Sequence, residues 1–250
     1  MRAGIAAGVV AVVALAAAGG WLLLRDDSKA PAKKAAAPTT TAAAAAQPQA
    51  SVTATSKVPE ITAYQDPVET SQAVTKLSDK TEYGLPRTFL VTDQSHPGWL
   101  HVLLPVRPNG SNGWIKASDV TMGTTDYEIR IELGAHKLTL LKLGQPVLDS
   151  GVVIGKDKTP TPAGKFFVTD PLDLHSQPNA GYGVFALGIS GYSDVLTSFK
   201  GGPGQLAVHG TSDPSQVGQD ISNGCVRVPN DAIEKIAAQA PLGTPVTIVA

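Results

Sequence analysis

Tyr127-Glu128-Ile129-Arg130-Ile131-Glu132-Leu133 alternates apolar and charged side chains without a break. A strand sends successive side chains to opposite faces, so this stretch offers Tyr127, Ile129, Ile131 and Leu133 to a core and the charged residues between them to water. Gly134-Ala135-His136 supplies a turn, and residues 137–143 a second β-prone run, which together predict a hairpin. Further β-prone runs follow at 147–154, 165–168, 184–187, 206–209, 225–228 and 246–249. One stretch reads as a helix: Asn230 as its cap, Ile233, Ile236, Ala237 and Ala240 on one face, Pro241 and Gly243 as its stop. Residues 124–250 are therefore expected to be mainly β, a sandwich or closed barrel with one amphipathic helix.

Upstream, residues 88–92, 99–104 and 113–116 are short β-prone runs broken by His96-Pro97-Gly98 and by Pro108-Asn109-Gly110-Ser111-Asn112-Gly113. Close strands with glycine and asparagine turns predict a small β-barrel-like domain over 58–123, with Trp99 and Trp114 in its core ahead of the alternative, an exposed ligand groove. Residues 26–57 hold mostly Ala, Pro, Thr, Ser, Gln and Lys, with no large apolar residue, and read as a disordered linker. Its prolines would let it reach up to about 90 Å.

The first 25 residues read as a membrane anchor. Residues 3–24 carry no charge, and as a helix they would span about 33 Å, enough for a hydrocarbon core of about 30 Å. Arg2 before this run, against Arg25-Asp26-Asp27 after it, places the rest of the chain outside the cell membrane as a single-pass extracytoplasmic protein. Charge excludes one class of partner. Twenty basic residues against twenty-one acidic ones give no field to attract nucleic acid.

The chemistry is expected at the chain's single cysteine. Cys225 has no disulfide partner in a chain that begins like an exported protein, so its thiol is read as kept for reactivity. Leu206-Ala207-Val208 would deliver His209 at a strand end, and Cys225 opens another run directly after Ser222-Asn223-Gly224. Two adjacent strands would bring imidazole and thiol together, letting histidine act as base for a thiol that is otherwise protonated near neutrality. Gly224 permits a sharp turn whose amides face a developing oxyanion. The five histidines form no metal-ligand cluster with cysteine or acids, so neither metal nor cofactor is expected; His96, His101 and His136 read as without a functional role, and His175 as a surface or lid residue.

At these positions the chain resembles the L,D-transpeptidase (YkuD-type) family, whose motif is His-Gly-Thr, a loop, then Ser-x-Gly-Cys-(Ile/Val)-Arg. Here it stands as His209-Gly210-Thr211 and Ser222-Asn223-Gly224-Cys225-Val226-Arg227, and the resemblance extends to the threonine- and proline-rich stretch Gly155 to Phe166. It covers the whole of 124–250. A weaker resemblance links Gly98 to Val120 with bacterial Src-homology-3-like wall modules. The main resemblance implies peptidoglycan stem peptides as partners, with formation of 3-3 cross-links and release of D-alanine. It implies Cys225 as nucleophile, His209 as base, the Gly210 carbonyl as orienter of the imidazole and the Gly224–Cys225 amides as oxyanion donors. Ser222, Asn223 and Arg227 would bind substrate; for Arg227 the alternative is a salt bridge bracing the loop. Carbapenem-type inhibitors are expected to acylate Cys225. Asn223 departs from family members that carry histidine there. An L,D-carboxypeptidase and a transpeptidase that anchors proteins to the wall share the first half of this chemistry. A silent wall-binding tether would need neither Cys225 nor His209. Papain-like enzymes place the cysteine before the histidine, and sortases carry their arginine on a separate strand, so both fit less well.

Overall fold

The computed structural model describes residues 50–176 and 181–250, in a unit spanning Ala46–Ala250. The expected anchor and most of the expected linker lie outside the described residues. Among the described residues, no helix is long and apolar enough to cross a membrane.

Seven strands build the first sheet: β1 (Ser51–Ser56), β2 (Glu60–Tyr64), β3 (Ala73–Ser78), β4 (Thr88–Asp93), β5 (Trp99–Leu103), β6 (Asn112–Lys116) and β7 (Val120–Thr125). Their order is β3-β2-β6-β5-β4-β1-β7, all antiparallel. Strand β1 corrects the expected linker, which was to run to Lys57. Ser51-Val52-Thr53-Ala54-Thr55-Ser56 lacks large apolar residues, but its Val and Thr favour a pleated strand. Paired with β4 and β7 on its two edges, it buries Ala54 completely.

The core of this sheet is Ile61, Phe89, Leu100, Val102 and Ile115, and not the tryptophans expected there. Trp99 and Trp114 are half-buried. Trp99 meets Tyr64 edge-on at 5.6 Å between ring centres, and Trp114 packs against His96 and His101 at 4.6 and 4.9 Å. Alternation explains the difference, since Leu100 and Val102 take the inward face of β5 and leave Trp99 and His101 on the outward one.

The second region holds β8 (Tyr127–Glu132), β9 (Lys137–Lys142), β10 (Gln145–Gly151), β11 (Ile154–Gly155), β12 (Gly164–Asp173), β13 (Phe185–Tyr192), β14 (Gln205–Thr211), β15 (Asp220–Ser222), β16 (Val226–Pro229), α1 (Asn230–Ala237) and β17 (Pro245–Val249). Eight of these strands form one sheet in the order β10-β9-β8-β17-β12-β13-β14-β16. Just past β10, the Val153 N–H donates to the Arg227 carbonyl at 2.9 Å, and the Arg227 N–H donates back at 3.0 Å. The two ends of the sheet are thereby tied together, so the expected sandwich or barrel is a nearly closed barrel-like sheet.

Inside it, Ile129 and Ile131 of β8 are fully buried, as their alternation requires, with Leu138, Leu140, Phe166, Val168, Val246 and Ile248. Burial of each such side chain contributes about 1.5–3 kcal/mol. Strand β17 lies parallel to β8, with Ile248 opposite Ile131. Helix α1 closes the core with Ala232, Ile233 and Ile236. Its cap differs from expectation: Pro229 holds the cap position, Asn230 is the first helical residue, and the Asn230 carboxamide accepts the Val184 N–H at 3.3 Å. Proline's fixed φ starts the helix without a side-chain cap, which frees Asn230 to tie α1 to the turn just before β13.

Candidate active site

Strands β14 and β16 run parallel, with Val208 opposite Val226 and His209 opposite Arg227. Val208 and Val226 point into the core, so alternation puts Ala207 and His209 on the other face, together with Cys225 and Arg227. There Cys225 and His209 line a cavity of about 150 Å³ with Tyr182, Lys200, Asn223 and Arg227. A second cavity of about 250 Å³ also reaches Cys225 and is walled by Tyr83, Leu172, Leu174 and Phe199.

His209 is 2% exposed. Its Nδ1 lies 2.8 Å from the Gly210 carbonyl oxygen. A carbonyl only accepts, so Nδ1 carries the proton and Nε2 keeps its lone pair. Burial pulls the His209 pKa down to about 4, and the positive charges of Arg227 and Lys200 push the same way against backbone hydrogen bonding at Gly210 and Tyr182. The imidazole is neutral at pH 7.

The half-buried Cys225 thiol is raised above its ordinary value by desolvation, opposed by a hydrogen bond from the Ala207 backbone and by the charge of Arg227. Thiol and imidazole therefore rest as a neutral pair, and not as thiolate and imidazolium. A Cβ at Gly210 would overlap the Asn230 carboxamide and crowd Ile233 of α1, so a larger residue there would displace Asn230. Gly183 packs its backbone against Gly210 under the same constraint.

The turn before Cys225 is built from both sides. Ser222 is 1% exposed; its hydroxyl donates to the Cys225 carbonyl at 2.6 Å and accepts the Gly224 N–H at 3.0 Å. Gly224 sits at φ +114°, a conformation that side chains resist. From below, the Thr159 hydroxyl donates to the Ser222 carbonyl at 3.1 Å, while the Thr161 hydroxyl donates to the Gly224 carbonyl at 2.8 Å and accepts the Gly155 N–H at 2.9 Å. Strand β11 pairs in parallel with β15 to hold this clamp in place. The stretch from Gly155 to Phe166 thus supports the turn before Cys225.

The remaining expected site residues divide by contact. Asn223 lines the cavity and accepts a hydrogen bond from the Lys156 ammonium at 2.9 Å. The Arg227 guanidinium donates to the neutral Gln216 carboxamide at 3.1 Å, and its buried Nε has no partner. No carboxylate pairs with Arg227 among the described residues, so the bracing salt bridge considered from the sequence does not form. Away from the cavity, His136 pairs with Asp220. His175 bridges Asp173 and Glu234 of α1, which raises its pKa. Among the described residues, no group of three or more His, Cys, Asp and Glu could hold a metal ion.

Tyr182 and Lys200 escaped sequence reading. The Tyr182 ring meets His209 edge-on at 5.0 Å, and the Lys200 ammonium lies over that ring at 5.1 Å. Both sit in glycine-rich segments without periodicity, and the one signal was the density of glycine around them.

A thiol and a neutral imidazole thus line one cavity, the first just before β16 and the second on β14, beside a threonine-clamped glycine turn. The L,D-transpeptidase catalytic domain (YkuD) model matches residues 126–248. The chain is 29% identical over 125 residues to "Putative L,D-transpeptidase YkuD" of Bacillus subtilis strain 168, covering 50% of this chain and 67% of that protein. Residues 126–248 thus belong to the L,D-transpeptidase catalytic-domain family. Among solved structures, an Enterococcus faecium L,D-transpeptidase mutant is 22% identical with a TM-score of 0.38, covering 50% of each chain. The catalytic domain of an E. faecium L,D-transpeptidase acylated by ertapenem is likewise 22% identical with a TM-score of 0.38, covering 51% of this chain and 99% of that one. With TM-scores below 0.5, the assignment rests on the family model and the sequence relative. The match spans about half the length of the first solved chains.

Proposed function

We propose that the protein is a peptidoglycan L,D-transpeptidase that works through a thioester on Cys225. The observation that carries this reading is the tautomer of His209: with Nδ1–H on the Gly210 carbonyl, the basic lone pair lies on Nε2 of a side chain that lines the cavity holding the chain's one thiol. As Sγ bonds to the carbonyl carbon between the third and fourth residues of a donor tetrapeptide, Nε2 takes the thiol proton. The Gly224 N–H is held by Ser222, which leaves the Cys225 amide to receive the oxyanion. Collapse breaks the C–N bond, and the imidazolium returns its proton to the departing D-alanine amine. The amine of a second stem then attacks the thioester, His209 takes its proton, and the thiol leaves reprotonated, with a 3-3 cross-link as product.

General base catalysis contributes about 10²–10⁴-fold here. Because both partners rest neutral, proton transfer accompanies attack. Arg227 and Lys200, without carboxylate partners among the described residues, suit a substrate that brings its own carboxylates. Residues 3–24 would hold the enzyme in the cell membrane, with the catalytic domain facing the wall.

The test is mass spectrometry of products after the full chain meets tetrapeptide-bearing muropeptides. Cross-linked dimers with released D-alanine support transpeptidation; shortened tripeptides alone would replace it by L,D-carboxypeptidation. Unchanged substrate would remove the assignment. Incubation with a carbapenem should add its mass to Cys225.

A further inference from the structure

The loop from Ser193 to Gly204 supplies Leu196, Phe199 and Lys200 to the cavity around Cys225. It is fastened from outside the catalytic region. The Arg107 guanidinium, in the connection between β5 and β6, donates to the carbonyls of Ser193 at 2.7 Å, Leu196 at 3.0 Å and Pro203 at 3.0 Å. It also lies over the Tyr192 ring, 5.0 Å from its centre.

Two residues on, the Asn109 carboxamide engages the backbone of Tyr192 on both sides: it donates to the Tyr192 carbonyl at 2.7 Å and accepts the Tyr192 N–H at 2.8 Å. It donates as well to the Asp194 carboxylate at 3.0 Å. In return, the Tyr192 hydroxyl donates to the Pro105 carbonyl at 2.9 Å. A planar guanidinium offers five fixed donors and can bond three carbonyls of one loop at once, which an ammonium cannot match in geometry. Within the loop, the Ser193 hydroxyl accepts the Leu196 N–H at 3.0 Å, while Lys200 sits at φ +48° and Gly201 at φ +86°.

We propose that Arg107 and Asn109 are positioning residues for the active site: they hold the Ser193–Gly204 loop in the shape that sets Lys200 and Phe199 beside Cys225. This rests on the transpeptidase reading for what the loop does, but not for whether the loop is held. Lys200 stacks on Tyr182 and Phe199, with its ammonium 5.1 and 5.8 Å from their ring centres. A loop released by Arg107 would lose that placement while His209 and Cys225 kept theirs on β14 and beside β16. The expected signature is a higher KM with kcat little changed, the pattern of a lost ground-state contact. The β domain upstream of the catalytic region then forms part of the enzyme's binding apparatus.

The experiment compares full-length wild type, Arg107→Ala, Arg107→Lys, Asn109→Ala, Lys200→Ala and the Arg107→Ala/Lys200→Ala pair. Trypsin cleavage after Lys200, followed by intact mass under native conditions, reads the loop independently of activity. It should rise about tenfold or more in Arg107→Ala, less in Arg107→Lys and Asn109→Ala. Equal protection in wild type, Arg107→Ala, Arg107→Lys and Asn109→Ala, the forms that keep Lys200, overturns the proposal. For turnover of tetrapeptide-bearing muropeptides, Arg107→Ala should raise KM about tenfold, and adding Lys200→Ala should raise it little further, because the two act through one contact. Additive effects, or a loss confined to kcat, would show that Arg107 serves only the fold. Should the wild type fail to turn over the muropeptide, the function falls while the trypsin result still decides the fastening. A global unfolding of Arg107→Ala, seen as cleavage throughout the chain, leaves Asn109→Ala to decide it by the same two readings.

Discussion

Acidification is expected to destabilise this protein in a window that belongs to His209. The side chain is 2% exposed, and its pKa falls from the ordinary 6.5 to about 4, with burial as the leading cause. A histidine whose folded pKa is depressed stabilises the fold above its unfolded pKa and loses that contribution as pH drops through the folded one. The window therefore runs from 6.5 down to about 4. At about 1.4 kcal/mol per pH unit, the gap is worth about 3 kcal/mol.

Lowered carboxylates such as Asp93, Asp149, Asp173 and Asp213 act below their ordinary 3.8, outside this window. Exposed His175, with a raised pKa, works in the opposite direction and is largely screened by solvent. Urea denaturation of full-length wild type and His209→Gln at pH 7, 5.5 and 4.5 isolates the effect as a difference between the two proteins. Wild type should lose most of the 3 kcal/mol relative to the variant, with uptake of about one proton on unfolding. The same protonation should place the acid limb of Cys225 acylation near pH 4 rather than near 6.5. Parallel stability profiles, or an acid limb at 6.5, would falsify the neutral buried imidazole.

Other changes probe the machinery around it. Thr161→Val removes a hydroxyl that serves two buried backbone groups, the Gly224 carbonyl and the Gly155 N–H; at about 1–3 kcal/mol per orphaned group it should cost about 2–6 kcal/mol. Differential scanning calorimetry should show a fall of about 4–24 °C, with Thr161→Ser close to wild type. Gly210→Ala forces a Cβ against Asn230 and Ile233, so it should lose about 1–3 kcal/mol and slow acylation at least tenfold as the carbonyl that orients His209 moves. Arg227→Gln removes a charge that lowers both His209 and Cys225, and the acid limb of the acylation profile should move to higher pH. An unmoved limb would mean that Arg227 does not set the field at the imidazole.

Local signals in the sequence carried much of this arrangement. The alternation of Tyr127 to Leu133, the apolar run before His209 and the glycine before Cys225 are short-range features, and each strand formed where its pattern lay. What stayed hidden depends on contacts between distant segments. Nothing local in Thr159 or Thr161 says that their hydroxyls hold a turn more than sixty residues away. Ser51 to Ser56 looked like linker because its side chains are short, and only its pairing with β4 and β7 makes it a strand. Asn230 is read as a helix cap from its type and place, yet the amide of Val184, in the turn before β13, claims its carboxamide. Asn109 lies in the expected glycine-rich turn and Arg107 directly before it, and their grip on the Ser193–Gly204 loop is tertiary.

The central claim is that Cys225 attacks the stem peptide with His209 as its base. Intact mass spectrometry of the full chain, quenched within seconds of mixing with a tetrapeptide stem lacking an acceptor amine, tests it directly. The account predicts an adduct equal to the donor minus D-alanine, mapped to Cys225, absent in Cys225→Ala and formed about 10²–10⁴-fold more slowly in His209→Ala. An adduct on another residue, or D-alanine release undiminished in Cys225→Ala, would contradict it.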